Sequence, residues 1–525
     1  MLRSPFHKSL QLASCLLFIY FTSLAVCLAT PALPEAPLSS ATAAEILAKP
    51  SETPLAVASI YTDQANGYSI AYPADMTIDD SFSAIRTVLS NSNTKIEIYY
   101  DDFTGTVSDS DVYITYSNKF TKDTTDHTIF DEKTYTVNKL PVHLLKWMRS
   151  KLVHADDDKN YYASAEIVKS KTEVYTLFFK STEPITNDKA IIESFKLIPK
   201  TGTGHMDSLT HPSTNYRNAE TQALYDKYFS DQAPLRWGIF EKTAPKNFTY
   251  LNALEKKLDY KFDVVTRYQS LTGHYFPEED LQNAYKNGRL VELTMQTFLW
   301  GAPDEQNQSV MYDVLNGQYD AYLNDYAIKL KAFGHPVLFR LNNEMNGDWC
   351  WYSAYFTGKD TDIYKAVWRY VYQIFQDNGV DNVLWVWNPH SPSKPTFQWN
   401  HYLMYYPGDE YVDIIGLTGY NNGTFYPGET WRSFDTIYRN TYDDYSRNFQ
   451  KPFMIAEFGS SSKGGDKAAW IHDMFAVLPE YNRIKLAVWW SATDLDAKGQ
   501  PARIYLLDEN EATIQAFRQG FAAEK

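Results

Sequence analysis

Eight short apolar runs, separated by helix-compatible segments, limit the fold of this chain more than any other feature. The runs are Trp237-Gly238-Ile239-Phe240, Phe262-Asp263-Val264-Val265-Thr266, Leu290-Val291-Glu292-Leu293-Thr294, Val337-Leu338-Phe339-Arg340, Val383-Leu384-Trp385-Val386-Trp387, Ile414-Ile415-Gly416-Leu417, Phe453-Met454-Ile455-Ala456 and Leu486-Ala487-Val488-Trp489-Trp490. Between them lie Phe248–Leu258, Val310–Phe333, Asp362–Asp377, Ser433–Phe449 and Asp466–Leu478, all with helical composition. A strand that is apolar along its whole length is buried on both faces, as in a parallel sheet covered by helices. Eight such units in succession predict an α/β fold, a (β/α)8 TIM barrel, over residues 216–525. In that fold the chemistry sits at the carboxyl ends of the strands.

Two of those ends carry a carboxylate. The fourth run leads into Arg340-Leu341-Asn342-Asn343-Glu344-Met345-Asn346-Gly347-Asp348-Trp349-Cys350-Trp351, and the seventh ends in Glu457-Phe458-Gly459. A lone glutamate after a strand is ordinarily a solvated side chain. Here Arg340 lies four residues before Glu344, on the same face of an alternating strand, and the tryptophans supply flat apolar surface of the kind that sugars stack on. Paired glutamates at barrel strand ends suggest the two carboxylates of glycoside hydrolysis.

The pattern Arg340-x-x-x-Glu344-Met345-Asn346-Gly347-x-Trp349, with Glu457-Phe458-Gly459 on a later strand, resembles glycoside hydrolase family 26, whose members are mostly β-mannanases. The resemblance covers about Leu235 to Phe521. It implies a retaining hydrolase acting on a polysaccharide, with Glu344 as acid/base and Glu457 as nucleophile. It also implies that Arg340 and Tyr420 orient the nucleophile and that Trp349 stacks on the sugar. Asn343 stands where the family usually has histidine; it is expected to donate to a sugar hydroxyl, and it leaves mixed-linkage β-glucan and β-1,3-xylan open beside β-mannan. On the eighth strand Trp489 and Trp490 point to opposite sides, and Trp489 is taken as the one facing the pocket. Trp387 and Asn388, closing the fifth strand, serve rim packing as readily as ligand contact.

The 525 residues exceed one barrel, so a second domain is expected. Residues 57–200 read as a smaller α+β domain, with strand-like runs at Tyr68–Tyr72, Thr94–Tyr100, Val142–Trp147, Tyr161–Ile167 and Glu173–Phe179, and helices near Asp111–Lys119 and Asp188–Phe195. Asn66-Gly67-Tyr68-Ser69-Ile70-x-Tyr72-Pro73 and Ile192-x-Ser194-Phe195 make it loosely similar to the PsbP-like fold. It shows no carboxylate pair, metal cluster or nucleophile elbow, and reads as a spacer or docking module.

Residues 1–29 carry Arg3, His7 and Lys8 before an apolar run, as a signal peptide or membrane anchor does. Residues 30–56, rich in Ala, Pro, Ser and Thr, and residues 201–215 read as linkers. The expected protein is secreted or tethered at the cell surface, and monomeric. A net charge of −15 argues against nucleic acid and anionic membrane as partners. Two of the three cysteines fall in the leader, leaving Cys350 with no partner for an intrachain disulfide. His274, His390 and His401 are scattered and read as polar loop residues; neither metal nor cofactor is expected.

Overall fold

The computed structural model describes residues 58–207, 209 and 216–523, so the leader, the first linker and part of the second lie outside it. Eight parallel strands close into a barrel in chain order: Arg236–Phe240, Val264–Ser270, Leu290–Gln296, Val337–Leu341, Val383–Trp387, Ile414–Asn421, Phe453–Ser460 and Ile484–Trp490. All eight apolar runs are strands of this barrel, and the first pairs with the eighth, Gly238 opposite Val488.

The lumen is filled by Val264, Leu290, Leu338, Leu384, Val386, Ile414, Met454, Ala456, Leu486 and Val488, all buried. The intervening residues point outward to the helices, as Trp237, Ile239, Leu293, Phe339 and Trp385 do. Apolar side chains on both faces are why these strands lack the alternation of a half-exposed sheet. The run Val310–Phe333, read as one helix, is two, Asp304–Leu315 and Asp320–Phe333. The break falls at Gly317, which has φ of 80°, a left-handed conformation that glycine adopts without steric cost.

Residues 58–197 form a seven-stranded antiparallel sheet and a three-stranded one. The larger runs in the order Thr77–Asp79, Arg86–Ser90, Thr94–Asp102, Glu173–Ser181, Tyr161–Val168, Leu140–Arg149, His127–Val137. The last is an 11-residue edge strand that the sequence pattern does not reveal, because an edge carries exposed polar side chains such as Glu132 and Lys133 in place of an apolar run. One face of the sheet packs Ile96, Ile98, Leu144, Ala165, Leu177 and Phe179 against the helix Asp188–Ser194 and the smaller sheet. The other face, with Tyr99, Leu145, Trp147, Tyr162 and Phe178, is continuous with the hydrophobic core of the barrel domain.

Candidate active site

Alternation along the strands sends the side chains above the lumen layer into one cleft. Counting by twos from Val264, Leu290, Leu338, Val386, Ile414 and Val488 reaches Tyr268, Thr294, Arg340, Asn388, Thr418 and Trp490. Glu457 breaks this count. Met454 and Ala456 both face the lumen, so strict alternation would turn Glu457 outward. The register shifts there: Leu417 pairs with Ile455 but Thr418 pairs with Glu457, leaving Ala456 as an extra residue. This bulge re-aims the carboxylate into the cleft.

Glu344 arrives by a different route. Strand four ends at Leu341, and both Asn342 and Glu344 have positive φ, 50° and 56°. Left-handed backbone is uncommon for a residue with a long side chain and tends to occur at functional sites. Here it is held by the amide of Glu344, which donates to the carbonyl of Asn388 at 2.7 Å. Arg340 and Glu344 therefore do not share a strand face, as alternation implied; the chain has left the strand before Glu344.

The cleft encloses about 490 Å³ and is lined by both glutamates together with Tyr268, Asn343, Trp349, His390, Tyr420 and Trp490. Three donors converge on Glu457. Arg340 Nη1 lies 2.7 Å from Oε1, Asn343 Nδ2 donates to the same oxygen at 3.0 Å, and the Tyr420 hydroxyl donates to Oε2 at 3.0 Å. Arg340 is completely buried; Nη1 also donates to Asn388 Oδ1 at 3.0 Å, while Nε donates to Thr294 Oγ1 at 2.8 Å and Nη2 to the Tyr268 hydroxyl at 2.7 Å. Beneath it sits Glu292, whose Oε1 lies 3.3 Å from Arg340 Nε and whose pKa burial pushes up to about 7. One guanidinium thus bridges two carboxylates, and its fixed fork sets the direction of Glu457.

Glu344 has the opposite environment. Burial, then the negative charge of Glu457, raises it to about 8, against the weaker lowering effect of its bond from Trp349 Nε1 to Oε2 at 3.1 Å. A carboxyl group that is still protonated at neutral pH beside one surrounded by donors is the division of labour that acid and nucleophile need. His390 Nε2 lies 3.8 Å from Glu344 Oε1, while its Nδ1 bonds the Pro392 carbonyl at 2.9 Å. Burial lowers His390 to about 4, so this ring is neutral, with the Nε2 lone pair toward Glu344.

Glu344, Glu457, Arg340, Asn343, Trp349 and Tyr420 are therefore brought together, with two changes. Asn343 donates to Glu457 rather than standing free for a sugar, and it is itself held by Gln296 Nε2 at 3.0 Å. Trp489 does not face the cleft: Leu486 and Val488 point to the lumen, so Trp489 is outward, buried against Phe458 and Phe517, with its Nε1 on the Tyr505 carbonyl. Trp490 lines the cleft, stacked on Phe240 at 3.9 Å. Trp387 packs outward against Tyr402, Tyr406 and Phe449. Sequence reasoning missed Tyr268, Glu292 and His390. The first two had a signal, a polar side chain at the lumen parity of an apolar strand; His390 had none beyond following Asn388 and Pro389.

A (β/α)8 barrel with two glutamates converging at the carboxyl ends of strands four and seven defines the class to which this molecule belongs. Residues 300–449 match the model of glycosyl hydrolase family 26, a span that contains Glu344 and ends before Glu457. The chain is 32% identical over 261 residues to endoglucanase H of Acetivibrio thermocellus, covering 49% of this chain and 28% of that protein. It is 27% identical over 209 residues to a mannan endo-1,4-beta-mannosidase of Bacillus subtilis, covering 35% and 51%. A beta-1,3-xylanase, TXYA, of a Vibrio species is 30% identical over 148 residues, covering 28% of each. The chain spans about half or less of the length of these curated relatives. Its barrel domain is therefore similar to glycosyl hydrolase family 26 over the span that carries Glu344. The likeness of the N-terminal domain to the PsbP-like fold rests on its sequence motifs alone.

Proposed function

We propose that this chain is a retaining glycoside hydrolase that cuts β-1,4-linked mannan internally. The observation that carries the reading is the shared cleft of Glu344 and Glu457, one carboxyl raised toward 8 and the other met by three donors. Glu457 attacks the anomeric carbon and the bond to the leaving oxygen breaks, while Glu344 delivers its proton to that oxygen. Glu344 then removes a proton from the water that displaces Glu457, so that the anomeric configuration is retained. Tyr420 donates to Glu457 before attack and stabilises it again as it departs. Trp490 and Trp349 supply the apolar walls on which sugar rings lie. No step calls for a cofactor.

Mannan is supported by the names of several relatives, among them that of Bacillus subtilis. The alternative, a mixed-linkage β-glucanase or β-1,3-xylanase of the same family, is supported by Asn343 in the usual histidine position and by the endoglucanase and xylanase relatives. Reducing-sugar release from mannan, glucomannan, mixed-linkage glucan and xylan separates them. In Glu457→Ala the enzyme loses nearly all turnover and keeps its affinity for the polymer; a barrel that only binds carbohydrate has no turnover in the wild type. The apolar run in residues 1–29 supports export, with the protein released or tethered at the cell surface. Among the described residues no helix is long and apolar enough to cross a membrane.

A further inference from the structure

The loop after barrel strand four carries the acid/base segment and then remains buried from Tyr352 to Thr361. Such connections normally run over the surface, because their backbone polar groups need water. Here the N-terminal domain covers the loop. Its helix Ser110–Lys122, capped by the Asp109 side chain on Val112 N, presents Tyr113, Tyr116, Ser117 and Phe120, the i, i+3, i+4, i+7 stripe of one face. Tyr116 stacks on Tyr355 at 4.5 Å, and Phe120 meets Tyr355 and Phe356 edge-on or tilted at 4.7 and 4.6 Å. Lys359 Nζ reaches Asn118 Oδ1 at 2.5 Å and Glu166 Oε1 at 3.3 Å, and Asp360 takes bonds from Tyr162 and Lys180.

The same helix supports the loop after strand five, which carries His390. Phe397 packs edge-on against Tyr113 at 4.8 Å, and Trp399 Nε1 donates to Ser117 Oγ at 3.1 Å. The most direct link to the cleft is a hydrogen bond from the Tyr116 hydroxyl to the Asp348 carboxylate. Asp348 precedes Trp349, whose indole holds Glu344, and its backbone N donates to the Lys394 carbonyl across the two loops.

We propose that the N-terminal domain is a working part of the active site, and that Tyr116, through Asp348, is a positioning residue for Trp349 and thereby for Glu344. This rests on Glu344 being the acid/base. The domain acts by fixing the donor to Glu344 and touches no substrate. Trp349 lowers the pKa of Glu344 and aims its proton, so a displaced Trp349 slows protonation of the leaving group and moves the alkaline limb of the pH profile upward.

The test uses the full chain with Tyr116→Phe, Asp348→Ala, the double variant and Val107→Ala, an exposed change on the same domain. In Tyr116→Phe, kcat is expected to fall about tenfold with KM within twofold, the alkaline limb to move to higher pH, and the far-ultraviolet dichroism to match the wild type. The double variant should be no slower than the slower single, because both break one contact. Val107→Ala should be unchanged. Wild-type kcat and pH profile in Tyr116→Phe, or effects that multiply in the double variant, overturn the proposal. A wild type without turnover on any of the four polymers overturns the hydrolase reading instead.

Discussion

Glu344 is the residue on which the chemistry and the stability of the barrel pull in opposite directions. A general acid must carry its proton, so kcat/KM is expected to fall as pH rises through about 8, the value to which burial and Glu457 lift Glu344. The same shift has a stability sign. A carboxyl whose folded pKa lies above its unfolded value costs stability once pH passes the unfolded value of about 4.5, and the cost is fully developed above the folded value. Glu344→Gln should therefore lose polymer hydrolysis by about 10²–10⁴-fold yet melt a few degrees higher than the wild type at pH 8, with the gap closing at pH 4; calorimetry at the two pH values checks it. At Glu457, removing one of the three donors costs about 1.5–3 kcal/mol for a bond to a charged group, or roughly 10–150-fold in rate. Asn343→Ala and Tyr420→Phe should each show this loss in kcat/KM measured at pH 6.

At the scale of the strand, parity decides which of two adjacent tryptophans works and which supports. Trp489→Ala removes a completely buried indole from between strand eight and its covering helices, and should cost about 3–5 kcal/mol of stability, with KM preserved in the folded fraction. Trp490→Ala should raise KM and leave the urea midpoint close to wild type. The pair was legible as one inward and one outward residue, but the absolute parity was not, because the run Leu486–Trp490 is apolar on both sides. Lumen and helix faces are both dry in a parallel barrel, so hydrophobicity carries no label for either. Glu457 was legible as a residue at a strand end for a reason that strict alternation does not supply. The bulge at Ala456 that turns it inward leaves no mark in the sequence, nor do the left-handed conformations at Asn342 and Glu344. Glu292 was visible as a charge in an apolar strand.

For the whole molecule, the interface between sheet and barrel makes the two domains one unit. Strands Tyr161–Val168 and Glu173–Ser181 are buried almost end to end, which an antiparallel sheet shows only when both faces are covered. The runs Tyr-Tyr-Ala-Ser-Ala-Glu-Ile and Glu-Val-Tyr-Thr-Leu-Phe-Phe carried that information, although not what covers the second face. Lys180, itself buried, meets Glu97 at 3.2 Å, Asp360 at 2.9 Å and Asp362, joining both domains. Lys180→Met leaves the buried Glu97 and Asp360 without the cation they share, and should cost about 3–5 kcal/mol, read as a lower midpoint of a single transition in scanning calorimetry. Acid should loosen the same seam. Burial opposes ionisation of Glu166, but Lys359 and His143 hold it down to about 2, so its contribution is present above its unfolded value and lost as pH falls toward 2.

Engineers who broaden the substrate range of barrel enzymes usually exchange the loops that follow the strands, treating them as interchangeable fittings on a fixed frame. In this molecule the segment from Tyr352 to Thr361 is masonry: a graft there would have to reproduce partners for Lys359 and Asp360 supplied by a domain that begins almost 300 residues earlier in the chain. The hairpin Thr493–Ile504 and the turn around Gly428 stand on the far wall of the cleft with solvent beside them, and they are where new specificity can be written without unseating the acid.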